Sequence, residues 1–127
     1  MPFNWNEFYN LATRLDQEIP VSNLTPAESA IARTCVNRAY YAVHWYCRRF
    51  LKDKHNLEIH NPDCHQKTID GVRRHFTAEV LSELINMKTR RNQADYQDED
   101  YFSKRDITTA LDRYKKIKPE IDSLSAK

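Results

Sequence analysis

The sequence predicts an all-α fold, a compact up-and-down bundle of four to five helices. The 127-residue chain contains a single glycine, Gly71, whereas tight β-hairpins depend on glycine for positive φ angles. Apolar residues recur at intervals of three and four, which is the period of one helix face. Cap-type side chains precede several of these periodic segments. Because the length suits one domain, residues 1–127 are expected to form a single helical domain.

The first two helices have the clearest boundaries. Asn4–Ile19 carries an apolar face and is stopped by the proline that follows it. The second helix is predicted to begin at Thr25, which can cap the free amides while Glu28 completes a capping box. Pro26 then occupies the first helical position, where its missing N–H costs nothing. This helix is expected to run to about Asp53.

The next part of the chain predicts two shorter helices. Asn61 and Pro62 are expected to serve as the cap and first residue of a third helix. Thr77 is predicted to mark a short break after which the helix restarts. The apolar face then continues to about Tyr96.

A last helix is expected after an acidic loop, Gln97–Asp100. Ser103 is its predicted cap, and apolar residues share one face as far as Leu124. Pro119 is expected to kink or end this helix, because a proline in a helix interior removes a backbone hydrogen bond.

One stripe of the second helix is chemically unusual. Its members recur at three and four residues and are expected to look outward together: Arg33, Asn37, Tyr41, His44 and Arg48. The stripe is unusual because it mixes guanidinium, amide, phenol and imidazole groups.

Composition excludes several functions. With one glycine, the chain cannot form a Walker loop or a dinucleotide-binding fingerprint. The net charge of +2 is weaker than that of most non-specific DNA binders. No apolar run is long enough to span a bilayer, and no leader pattern is seen. The three cysteines form no CxxC pair, which predicts reduced thiols and a cytoplasmic protein.

Neither a metal nor a cofactor is expected from the sequence. His55, His60, Cys64 and His65 lie close together in the chain, but their spacing matches no standard zinc finger. They are therefore interpreted as ordinary polar side chains of a connection and a helix start.

Two segments resemble a known family. Asn37–His44, which reads NRAYYAVH, is similar to an S-R-A-Y-Y-A-x-x-H helix, and Arg91–Tyr96, which reads RNQADY, closely matches an R-N-x-A-D-Y segment. Both belong to one branch of the HEPN (higher eukaryotes and prokaryotes nucleotide-binding) domains. A histidine, His60 or His65, lies between them. The resemblance covers about Thr25 to Leu124.

This resemblance implies a helical bundle that pairs as a homodimer. Many HEPN proteins are metal-independent ribonucleases of toxin–antitoxin and defence systems, with an arginine, a polar residue and a later histidine as their signature. Arg91 and Asn92 match the first two elements, but Tyr96 stands at the shortest histidine spacing. Tyrosine, with a pKa near 10, is a poor general base at neutral pH. Arg91 and Tyr96 also lie about 140° apart around an ideal helix, so a shared ligand requires a frayed helix end or a second subunit.

Three hypotheses follow. In the first, a homodimer cleft lined by Arg91, Asn92 and Tyr96 holds RNA or nucleotide phosphates. The binding residues in this hypothesis are Arg38, Tyr41, Arg91 and Asp95. In the second, the protein is an active metal-independent endoribonuclease that uses Arg91 and Asn92 with Tyr96 or His44. In the third, it is a non-catalytic interaction module for a partner such as a small nucleotidyltransferase. Arg91 and Asp95 are four residues apart, so an alternative is that they form a purely structural ion pair within one helix.

Overall fold

A computed structural model describes residues 3–97 and 102–126. These residues form five helices and no strand, which confirms the all-α prediction. In chain order the helices are α1 (Asn6–Asp16), α2 (Pro26–His55), α3 (Cys64–His75), α4 (Ala78–Tyr96) and α5 (Lys104–Ser125).

The predicted start of α2 is confirmed in detail. The Thr25 backbone amide donates to Glu28 Oε1 at 2.9 Å, and the Glu28 amide donates to Thr25 Oγ1 at 3.2 Å. This reciprocal pair satisfies amides that the helix cannot satisfy itself. At the other end, Asn56 adopts a left-handed conformation with φ of 51° and closes the helix.

The predicted start of α3 is wrong by two residues. The Asn61–Pro62 peptide bond is cis, and the helix begins at Cys64 after Asp63, which has a left-handed φ of 67°. The break predicted at Thr77 is confirmed, because Thr77 Oγ1 accepts from the Val80 amide at 3.3 Å. The end of α4 at Tyr96 also agrees with the prediction.

Ser103 caps α5 as predicted, and Asp106 completes a capping box that the sequence reading did not include. Pro119 lies inside α5 without ending it, because its apolar neighbours Ile117 and Ile121 remain buried in the core. Of the predicted acidic loop, only Gln97 is described, and residues 98–100 lie outside the described part of the chain.

The helix α2 is the centre of the bundle, since it contacts each of the other four helices. This position explains why its polar stripe does not look outward as predicted. Asn37 and His44 are buried, because α3 and α4 pack against that side of α2. In the described part of the chain, no helix combines the length and apolar character needed to cross a membrane.

Candidate functional site

The Arg91 guanidinium lies between α4 and α2 and contacts three side chains. Its Nη2 donates to the Tyr41 hydroxyl at 2.7 Å and its Nη1 donates to Asn92 Oδ1 at 3.1 Å. Its Nε lies 2.9 Å from Asp95 Oδ2, in a contact too poorly aligned to count as a hydrogen bond. The side chain is only 12% exposed. Each terminal nitrogen nevertheless carries a second hydrogen beyond these contacts.

Asp95 connects Arg91 to α2. The Asn37 amide nitrogen donates to both Asp95 oxygens, at 3.2 and 3.0 Å. The Asn37 carbonyl oxygen in turn accepts from the Arg38 guanidinium through Nε at 2.8 Å and also through Nη2. Arg38 also lies over the Phe8 ring, with 4.7 Å from Cζ to the ring centroid. The two segments that carry the family resemblance are therefore joined by one polar network.

A solvent-open groove runs beside this network, with a volume of about 600 Å³. Tyr96 stands at its edge and is 70% exposed, which is unusual for a large aromatic side chain. The Tyr96 ring centroid lies 5.8 Å from Arg91 Cζ. The two side chains approach each other although they are five residues apart on α4. The residues that line the groove are Ala30, Arg33, Thr34, Asn37, Arg38, Ala94, Asp95 and Tyr96.

Arg33 fixes the C-terminal end of α4 at this groove. Its Nη1 donates to the carbonyl oxygens of Gln93 and Ala94, at 3.3 and 2.7 Å, and its Nη2 donates to the Gln97 carbonyl at 3.0 Å. The Gln93 carbonyl also accepts from the Gln97 amide at 3.0 Å, and a cation is favourable at the negative end of a helix. Arg33 therefore positions the turn that presents Tyr96.

A second layer of aromatic and imidazole groups lies behind Arg91. Tyr40, 1% exposed, has its hydroxyl 2.6 Å from His65 Nδ1. Burial raises the pKa of Tyr40, so the phenol stays neutral. Burial, together with the nearby His65 and Arg48, lowers the pKa of His44 to about 3. Burial also lowers the pKa of His65, with Arg91 as the next cause. Both imidazoles are therefore neutral at neutral pH.

The structure brings most of the predicted site residues together. Arg91 contacts Tyr41, Asn92 and Asp95 directly, and Arg38 joins through Asn37. His44, the other predicted catalytic candidate, is only 1% exposed. Because a catalytic base must reach its substrate, this burial argues against that role. The sequence reading did not select Asn37, Tyr40, His65 or Arg33 as site residues. Asn37 and Tyr40 lie in the segment that carries the resemblance, so that segment contained the signal for them.

No family model, curated protein or solved structure matches this chain. The resemblance to the HEPN domains therefore depends on the two short sequence segments alone.

Proposed function

We propose that this protein is an HEPN-like module that binds single-stranded RNA or a nucleotide in the groove beside Tyr96. The observation that carries the proposal is the exposed Tyr96 ring, which stands at the edge of a groove that holds guanidinium groups. Among the described residues, Arg33 and Arg38 line the groove together with one carboxylate, Asp95. The Arg91 guanidinium lies behind this lining, with its Cζ 5.8 Å from the Tyr96 ring centroid. Exposed aromatic rings stack on bases, and guanidinium groups bind phosphates.

The roles of the individual side chains follow from their contacts. Tyr96 offers a ring face to a base. Arg38 uses Nε and Nη2 on Asn37, and its Nη1 has no hydrogen-bond partner within residues 3–97 and 102–126, so it is available to a phosphate oxygen. Arg91 is largely used inside the subunit, where it holds Tyr41 and Asp95 in place behind the groove.

A homodimer is the assembly in which this site is best enclosed. The groove is open on one side, so a nucleotide bound to one subunit would remain largely in contact with water. A second copy placed over the groove would close it and bring a second set of arginines to the phosphates. Because of the family resemblance, we also propose that such a dimer acts in a toxin–antitoxin or defence system.

Replacing Tyr96 with alanine is expected to weaken RNA binding by about 5- to 150-fold, because one stacked base contributes about 1–3 kcal/mol. The measurement is fluorescence anisotropy of a labelled, mixed-sequence single-stranded RNA at fixed salt, since phosphate binding depends on salt. Unfolding should be almost unchanged, within about 0.5 kcal/mol, for so exposed a residue. Phe3→Ala is the matched control, since Phe3 is also an exposed aromatic residue, at 50%, but lies outside the groove lining.

The same samples test catalysis. RNA should be incubated with and without EDTA, beside an Arg91→Lys variant that keeps the positive charge. Cleavage that survives EDTA and is lost in Arg91→Lys would identify an endoribonuclease. Binding without cleavage supports the binding module. Failure of the wild-type protein to bind RNA or nucleotides, or equal weakening by Phe3→Ala and Tyr96→Ala, would overturn the proposal.

A further inference from the structure

Three potential metal ligands meet where α3 begins beside α2. One ligand atom from each of His44, Cys64 and His65 lies within 4.8 Å of the others. They are distant in sequence, because His44 is in the middle of α2 whereas Cys64 and His65 are the first two residues of α3. The sequence reading found no metal site because it considered Cys64 and His65 together with His55 and His60.

The structure separates those other histidines from the cluster. His55 stacks on His75, with 3.6 Å between ring centroids. His60 is exposed and lies 3.5 Å from Glu58. His44 takes their place, and its ring centroid is 4.6 Å from that of His65.

The buried nitrogen of His44 is the strongest indication that this cluster binds something. His44 is 1% exposed, and its Nδ1 has no hydrogen-bond partner within the described part of the chain. Buried polar atoms are almost always paired, because an unpaired one costs about 1–3 kcal/mol. A metal ion bound through this nitrogen would give it the partner that it lacks.

His65 has the outer contact that metal-binding histidines usually have. Its Nδ1 is 2.6 Å from the Tyr40 hydroxyl. When Nδ1 carries the proton and donates to the phenol oxygen, Nε2 is left with a free lone pair. Such outer hydrogen bonds fix the tautomer and ring orientation of histidine ligands. Tyr40 is fully buried, so it holds the ring firmly.

We propose that His44, Cys64 and His65 form a binding site for a zinc-class divalent cation, with water as the fourth ligand. Nitrogen and thiolate donors are the set that Zn²⁺ prefers, and three protein ligands leave one position open. The Cys64 thiol loses its proton to solvent when the metal–sulfur bond forms. The cluster must also contract, because tetrahedral zinc holds such ligand atoms roughly 3.6 Å apart. Cys64 is the half-buried ligand, in the first turn of α3, so rotation of its side chain can supply much of this contraction.

The test is a titration of the reduced full-length protein with Co²⁺ followed by absorption spectroscopy. Co²⁺ reports thiolate ligation through a near-ultraviolet charge-transfer band and reports tetrahedral geometry through its visible bands. We expect a thiolate band that saturates at one cobalt per chain and is lost when Zn²⁺ is added. The melting temperature should rise on metal addition, because the ion binds the folded state.

Cys64→Ser should abolish the thiolate band and weaken cobalt binding at least tenfold, and His65→Ala should weaken binding similarly. His60→Ala is the matched control and should bind as wild type does. Circular dichroism of each metal-free variant checks folding, and two independent ligand variants guard against one that fails to fold. Absence of a thiolate band in the wild-type protein, or its persistence in Cys64→Ser, would overturn the metal site. The RNA-binding proposal is unaffected by either result, because the titration contains no RNA.

Discussion

Replacing Phe102 with alanine is expected to lower the free energy of unfolding by about 3–5 kcal/mol, the usual cost of removing a buried phenylalanine. Phe102 is 0% exposed and lies between two guanidinium groups. Arg90 Cζ is 3.7 Å from its ring centroid and Arg33 Cζ is 4.8 Å from it. Truncation would therefore remove both a core contact and two cation–π contacts. Chemical denaturation monitored by circular dichroism measures the change.

The effect should be large because these arginines hold helix ends. Arg33 binds the last carbonyls of α4, and Arg90 pairs with Asp106 in the first turn of α5, with 2.9 Å between Nη2 and Oδ1. Phe102 thus joins the two helices on either side of the connection that contains it. Phe3→Ala serves as control, since Phe3 is half exposed and should lose much less stability. Similar losses in the two variants would contradict this role of Phe102.

Replacing Arg91 with alanine is expected to lower the free energy of unfolding by about 2–3 kcal/mol. Breaking a fully buried ion pair costs about 3–5 kcal/mol, because the remaining charge is left without a partner. Here the cost should be smaller, since the Asp95 side chain is 26% exposed and keeps two hydrogen bonds from Asn37. A double-mutant cycle with Asp95→Asn isolates the pair, and the Arg91→Ala cost should fall in that background.

Arg73→Ala is the matched control for Arg91→Ala. Arg73 pairs with Asp70 at 3.3 Å, but both side chains are about half exposed, and such surface pairs contribute at most about 1 kcal/mol. If the two alanine variants lost equal stability, the structural role of Arg91 would be wrong. If Arg91→Ala greatly lowered the free energy of unfolding, weaker RNA binding by this variant could result from unfolding as well as from a lost contact with RNA. For that reason the exposed Tyr96 is the better probe of the groove.

Local sequence signals predicted the helices well where one short segment determines a boundary. Thr25, Thr77 and Ser103 each cap the helix that they were expected to cap. The prediction was wrong at Pro62, since α3 begins two residues later at Cys64, and incomplete at Pro119. Pro119 stays helical because apolar residues on both sides of it are held in the core. Spacing alone cannot show such tertiary contacts.

In the candidate site, too, contacts within one helix were predictable from the sequence, whereas contacts between helices were not. The Arg91–Asp95 pair follows from a spacing of four on one helix and was anticipated. The contact of Arg91 with Tyr41 spans 50 positions in sequence, and the resemblance placed the two residues in one site without showing that they touch. The meeting of His44 with Cys64 and His65 had no sequence signal, because it depends on how the start of α3 packs on α2.

The central position of α2 has a consequence for how the molecule opens. Each of the other four helices packs on α2, whereas α3 contacts only α2 and α4. A peripheral helix can therefore detach while the rest stays folded, but α2 cannot lose its neighbours without global unfolding. Amide hydrogens in the middle of α2 should consequently exchange with solvent most slowly, and those of α3 should be among the first to exchange.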